Sequence, residues 1–348
     1  MLEDQEVVVG VDGGGTHTRV MVSSLDGCVL SYVESGAAWV HKDLQAIHNV
    51  KQGIQEALQA AGRTLGDVRG LAAGIAGYDS EEDLEWVKAL TDVEGLNCPK
   101  WHYNDAVAAH YGALLTKPGI VALSGTGSII VAMKEDGQLI RNYDFHHYTK
   151  SGARFLAYDA VYEVLAGHAD ETDQELIQDI LRHWDVNTVQ ELWQLGQSGF
   201  IEDRRNRDRK LEQLTPFITE AASKGSSLAR RVSDRAIYQL KVGIELVAPY
   251  LTSDTIPVAF IGSVINSNYF KDKLSVLLDN GRNKVYSIVE PRFTPVTGSV
   301  LYAISRVSGD GIRERLLCNL EKSLHTRPDG HQREPLLNAE HPQDLSGS

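Results

Sequence analysis

The chain has 348 residues, a formal net charge of −13, and 42% hydrophobic against 23% charged side chains, which suits a globular protein of about two domains at roughly 150 residues each. The acidic balance excludes a broad phosphate-backbone grip on nucleic acid, which needs lysine and arginine in excess, and no stretch reaches the ~18 uninterrupted apolar residues of a membrane span. Cys28, Cys98 and Cys318 stand far apart with no CxxC pair, and the N-terminal segment lacks signal-peptide character, so a disulfide framework and an iron–sulfur ligand set are not expected and a cytoplasmic location is.

Val7 to Val11 reads as a buried strand, Asp12-Gly13-Gly14-Gly15 as a turn, and Arg19 to Ser23 as a second strand; Asp26-Gly27 then turns into a third, Cys28 to Val33. Leu44 to Ala61 carries Ile47, Val50, Ile54 and Leu58 at helical spacing and stops at Gly62. Ser80 to Leu90 opens with Ser80 and Asp83 at capping-box spacing. Ala106 to Leu115 is a further helix, entered from Trp101-His102-Tyr103. The strand pattern recurs from Gly119: Gly119 to Leu123, the turn Ser124-Gly125-Thr126-Gly127, Ile129 to Met133, the turn Asp136-Gly137, and Gln138 to Ile140. Two similar halves, each beginning with an antiparallel hairpin, are therefore predicted.

Helices dominate beyond Gly152: Ala157 to Gly167, Asp173 to His183, Leu211 to Ser223 and Leu228 to Tyr250. A strand, Ile256 to Ile261, and the helices Tyr269 to Leu278 and Gly298 to Val307 complete the pattern. The arginine-rich stretch Asp203 to Lys210 reads as a solvated surface between helices. From Glu321 the chain is polar and reads as a disordered tail.

Three glycine turns carry the chemistry. In Gly10-Val11-Asp12-Gly13-Gly14-Gly15-Thr16 a strand delivers a carboxylate into a turn whose bare backbone can approach an anion closely. Asp12 would face a hydrated Mg2+ and Thr16 would offer its hydroxyl to phosphate; a plain hairpin turn is the alternative, although three glycines exceed what a hairpin needs. Ser124-Gly125-Thr126-Gly127-Ser128 holds the matching place in the second half, so the two turns could grip a polyphosphate between them. The third turn, Gly262-Ser263, leaves backbone that could lie against a flat heterocycle. Asn104-Asp105-Ala106 sits at a strand-to-helix junction, where Asp105 could accept a hydroxyl proton or merely cap the helix. His146-His147 has no companion at metal-ligand spacing and reads as two solvent or cleft histidines.

In this order the four motifs resemble the actin/sugar kinase/Hsp70 superfamily, nearest its N-acetylglucosamine kinase branch, which is grouped with the BadF/BadG/BcrA/BcrD ATPases. Phe293 to Ile304 resembles that family's closing helix. The resemblance implies an α/β fold of two actin-like (ribonuclease H-like) domains around a nucleotide cleft. The first domain would be residues 1–114 with the closing helix at about 298–320, the second 115–297, and the tail 321–348. It implies phosphorylation of a sugar or amino-sugar hydroxyl by Mg2+ and ATP, with Asp105 as base. Phosphates would lie at Gly13, Gly14, Gly15, Thr16, Ser124, Gly125, Thr126 and Gly127, adenosine at Gly262 and Ser263, and Mg2+ near Asp12 through water. Asn104, Asp105, Trp39 and Lys150 would meet the sugar. Family members are often homodimers, and a small-molecule sugar is the implied partner.

The family's GDEGS-like segment is replaced by Tyr148-Thr149-Lys150-Ser151-Gly152, and its early asparagine is absent from Ser35-Gly36-Ala37-Ala38-Trp39. Phosphate machinery is thus kept while the sugar site is rewritten. Gain of Lys150 with loss of carboxylates favours an anionic, altered amino sugar; a solvent-facing Lys150 is the alternative. A nucleotide-binding sensor without transfer activity is the second reading of function, opposed by Asp105. An activator of a radical dehydratase would need clustered cysteines, which the sequence lacks.

Overall fold

The computed structural model describes residues 5–309 and 313–328. Val7–Gly13 (β1), Thr18–Ser24 (β2) and Val29–Ser35 (β3) run antiparallel. Ala46–Ala60 (α1), Val68–Ile75 (β4), Leu84–Leu90 (α2), Lys100–Asn104 (β5) and Asp105–Leu114 (α3) follow, with β4 and β5 parallel to β1. The sheet order is β3-β2-β1-β4-β5.

The second half starts with Gly119–Ser124 (β6), Ser128–Met133 (β7) and Leu139–Arg141 (β8). Helices Ala153–Leu165 (α4), Gln174–His183 (α5), Val189–Gln197 (α6), Arg204–Glu212 (α7), Thr215–Lys224 (α8) and Ser227–Val247 (α9) come next. Thr255–Ile261 (β9), Asn268–Asp279 (α10) and Val285–Val289 (β10) finish a sheet of order β10-β9-β6-β7-β8. Pro295–Ser308 (α11) and Glu314–Leu320 (α12) return to the first sheet, where they pack on Val8, Met21 and Ala72. Both sheets thus share one pattern, an antiparallel three-strand meander at one side whose first strand continues into two parallel strands at the other, as the repeated motif order predicts.

Strand alternation places these layers. Val7, Val9 and Val11 face the α1 side, while Val8 and Gly10 face α11. On the second sheet Ile120 and Ala122 join the helical core, while Val121, Ile129 and Val131 meet Ala106, Ala109 and Ala113 of α3. Two helices, α3 and α11, therefore lie against each other between the sheets. A β-carbon at Gly298 would sit 2.0 Å from the Ala108 carbonyl oxygen, and one at Gly112 would sit 2.5 Å from that of Thr294. Only hydrogen fits at these two crossings.

Several expectations are corrected. The arginine-rich stretch is not a linker surface but α7 itself. The Asp203 side chain accepts from Asn206 N–H to cap it, and Leu211 and Asp208 are buried along it. Ile47, placed on the buried face of α1, is instead exposed, because the buried set runs through Ala46, Val50, Ile54 and Leu58. The tail does not begin at Glu321: Thr326 is buried, donates to the Leu320 carbonyl, and its own carbonyl accepts from Thr294 N–H. Residues 329–348 of the expected tail lie outside the described residues. No helix among those described is long and apolar enough to cross a membrane.

Candidate active site

The carboxyl ends of β1, β4 and β5 bring three carboxylates together: Asp12 closes β1, Asp79 follows β4, and Asp105 follows β5. Ligands of open α/β sheets collect at this edge. Asp12 is 6% exposed and has a single cation beside it, Arg19 Nη1 at 3.3 Å. Burial raises its pKa, and Arg19 only partly opposes the rise.

Beyond Asp12 the chain folds tightly. Gly14 N–H donates to the His17 carbonyl, Ala38 N–H to Gly14, and Ala76 N–H to Gly13. A β-carbon at Gly13 would lie 2.6 Å from Ile75 Cδ1, so the glycine is imposed by packing as well as by the turn.

The second turn is fastened equally closely. Ser124 is buried and donates to the Ser151 carbonyl at 2.7 Å, while its own carbonyl accepts from Val264 and Ile265 N–H. Ser128 donates to the Thr149 carbonyl at 2.7 Å. Gly262 has φ +107°, and a β-carbon there would meet the Ser124 carbonyl oxygen at 2.4 Å; glycine alone allows the third turn to nest against the second. The first and second turns meet across the cleft, with Thr16 Oγ1 2.9 Å from Thr126 Oγ1. Thr16, Thr126, Ser263 and Val264 line one hollow of about 430 Å3, whose far wall is α7 and α8. A wider hollow of about 710 Å3 lies between α2 and β5; none of the three turns borders it, so it is not where this chemistry would occur.

Asn104, not Asp105, caps α3. Its side-chain oxygen accepts from Ala106 N–H at 3.0 Å, and its amide donates to the Tyr78 carbonyl and to Asp79 Oδ1, each at 3.1 Å. The cap thus falls to Asn104, and the Asp105 carboxyl, at the first helical position, is met by the Asp105 and Ala106 backbone N–H groups. Burial, then the like charges of Asp12 and Asp79, push its pKa up to about 7. The N-terminal dipole of α3 favours the anion, so burial and repulsion outweigh it here.

Trp39 lies over Gly77, where a β-carbon would approach its Nε1 to 2.5 Å. Lys150 is exposed between Thr149 and Ser151, the two residues that Ser128 and Ser124 hold, and makes no ion pair among the described residues. His146 is exposed and His147 half-buried.

Residues 9–146 match the BadF/BadG/BcrA/BcrD ATPase family. A curated relative, N-acetylmuramic acid/N-acetylglucosamine kinase of Clostridium acetobutylicum, is 26% identical over 308 residues, covering 86% of this chain and 98% of the relative. A solved Chromobacterium violaceum protein, provisionally assigned as an N-acetylglucosamine kinase, superposes with a TM-score of 0.68 at 20% identity, over 85% of this chain and 98% of its own. The chain has the two-domain fold of the actin-like sugar kinases. A ROK family glucokinase from Streptomyces griseus, solved with glucose and AMPPNP, shares it at a TM-score of 0.56 and 16% identity, over 84% and 97% of the two chains. The resemblance drawn from the motifs therefore holds.

Several residues that the motifs did not reveal lie beside these turns and carboxylates. Asp79 follows the run Ile75-Ala76-Gly77-Tyr78, and a glycine turn after a buried strand is the signal that would have found it. Tyr143 donates to the Ser128 carbonyl at 2.8 Å; burial, then Asp79 and Asp105, push its phenol up to about 12. Arg141 Nη1 donates to the Asp79 carbonyl at 3.1 Å, joining the second half to the first. Arg209 and Glu212 of α7 line the same hollow as Thr16 and Thr126. Their order in a charged helix gave no sign of it.

Asp12 fits a hydrated divalent cation: its carboxylate is nearly buried, and its one cationic neighbour is a long contact. Among the described residues no group of three or more His, Cys, Asp or Glu side chains could hold a metal ion by itself. An ion at Asp12 would take its other oxygens from water and phosphate, as Mg2+ commonly does.

Proposed function

We propose that the protein transfers the γ-phosphoryl group of ATP to a hydroxyl of a sugar or amino sugar. One observation carries the reading. Two glycine turns from opposite halves meet through Thr16 and Thr126, at the strand ends where Asp105 stands with its pKa near 7. The Clostridium acetobutylicum relative's name supports an amino sugar.

Gly13 to Thr16 and Ser124 to Gly127 hold the phosphates through backbone N–H groups and hydroxyls, and Gly262 with Ser263 meets the nucleoside. Mg2+ near Asp12 would offset the phosphate charge. Asn104 fixes the start of α3, and so the place of Asp105. Asp105 accepts the proton of the attacking hydroxyl while the new phosphorus–oxygen bond forms and the bond to the β-phosphate oxygen breaks, releasing ADP. A base with a pKa near the working pH is ionised often enough to accept that proton and basic enough to keep it. Trp39 packs one side of the sugar. Lys150, an exposed cation between two anchored residues, selects an acceptor bearing a carboxylate.

The test is ADP release from Mg2+-ATP against glucosamine, N-acetylglucosamine, N-acetylmuramic acid, glucose and uronic acids. Sugar-dependent release that is lost in Asp105→Asn supports the reading; binding of ATP with no sugar-dependent release overturns it. Lys150→Ala is expected to lose preference for carboxylated sugars over neutral ones, and an unchanged profile would remove Lys150 from the acceptor site.

A further inference from the structure

The segment between β3 and α1 touches both halves. Its Trp39 and Lys42 lie over Gly15: a β-carbon built there would be 3.8 Å from the Trp39 ring and 3.7 Å from Lys42 Cδ. The Lys42 ammonium then crosses to α7, 2.5 Å from Glu212 Oε1, with the two side chains only 19% and 14% exposed. About two turns back along α7, Arg205 Nε donates to the His41 carbonyl at 2.9 Å. Helix α7 is itself anchored, since its buried Asp208 accepts from Arg154 at 2.8 Å and from Tyr158 at 3.2 Å. A cation with its stem on the first phosphate turn is thus held in place by the opposite domain. Exposed surface pairs contribute little, whereas removing one partner of a largely buried pair is costly because it leaves the other charge uncompensated.

We propose that Lys42 is a nucleotide-positioning residue, its ammonium shared between Glu212 and the terminal phosphate at the Gly13–Thr16 turn, so that nucleotide binding and domain closure draw on one charge. The inference rests on the ATP-binding reading given above. Mg2+-AMPPNP affinity is measured by calorimetry for the unaltered protein, Lys42→Met, Lys42→Arg and Glu212→Gln, beside melting temperatures with and without AMPPNP.

Lys42→Met is expected to weaken AMPPNP about tenfold, the worth of one charge-assisted bond, and Lys42→Arg to retain most of the affinity. Glu212→Gln should lower the melting temperature of the free protein as much as Lys42→Met does, yet change AMPPNP affinity less than about threefold, because the ammonium remains for the phosphate. Equal loss of affinity in Lys42→Met and Glu212→Gln would reduce the pair to a structural bridge and overturn the proposal, as would unchanged affinity in Lys42→Met. A protein that binds AMPPNP but phosphorylates no sugar defeats the kinase reading alone, and Lys42 is still judged by affinity. Failure of the unaltered protein to bind AMPPNP overturns both.

Discussion

Asp105 shows how position and environment divide the work. Its motif left open whether it capped α3 or faced a substrate, because Asp and Asn are both good caps. The structure gives the cap to Asn104 and leaves Asp105 a carboxyl whose pKa burial, Asp12 and Asp79 push up to about 7. Turnover should therefore fall tenfold per pH unit below about 7 as the base is protonated, and a pH profile of kcat checks this. The sign for stability is opposite in use. A folded pKa above the unfolded value means the fold holds the proton, so the stabilisation is complete below the ordinary carboxyl value of 3.8 and is lost as pH rises towards 7. Asp105→Asn, which keeps the shape without the charge, should accordingly gain stability over the native chain as pH rises from about 4 to 7 in denaturant titrations, while losing turnover by ~100-fold or more. Asp12 was legible because its glycines are conspicuous. Asp79 was not, because its turn is ordinary and its neighbours Asn104 and Arg141 are distant in sequence.

Helix α3 places Asp105, and two of its features can be tested separately. Asn104→Ala removes a cap worth ~1 kcal/mol and also frees Asp79 Oδ1; a lower melting temperature with a lower kcat is expected, whereas a change in stability alone would detach the cap from catalysis. Gly298→Ala would force a methyl to within 2.0 Å of the Ala108 carbonyl oxygen. Overpacking of this kind costs ~1–3 kcal/mol, and urea titration is expected to show at least that. Periodicity found most helices because their buried faces repeat, as Val50, Ile54 and Leu58 do in α1. It missed α7 because eight of its nine residues, all but Leu211, are polar. That helix is fixed by the Asp203 cap and the buried Asp208 rather than by an apolar stripe. The duplicated hairpins were legible because strand, glycine turn and strand recur in the same order, and the sheets repeat that order strand for strand.

The two halves are joined covalently at two places, residues 115–118 and 290–294, and these lie side by side: Arg292 and Phe293 N–H donate to the Ala113 and Gly112 carbonyls. At the first crossing Leu115 and Thr116 hold φ of 54° and 65°, conformations that cost non-glycine residues energy. Both crossings thus sit together, and Thr16–Thr126, Lys42–Glu212 and Arg141–Asp79 are further contacts between the halves. Binding Mg2+-AMPPNP together with an accepted sugar should shrink the radius of gyration in X-ray scattering, and Glu212→Gln should lessen that change. The same connectivity bears on synthesis. Strands β1 to β5 leave the ribosome early, yet the face formed by Val8, Met21 and Ala72 is covered only when α11 appears, after the whole second sheet. The nascent first half must therefore wait with an apolar surface bare while the second, which needs nothing made later than β10, can already fold. Chaperone demand should concentrate on that uncovered sheet, and a defect in α11 should be felt first as aggregation of newly made chains.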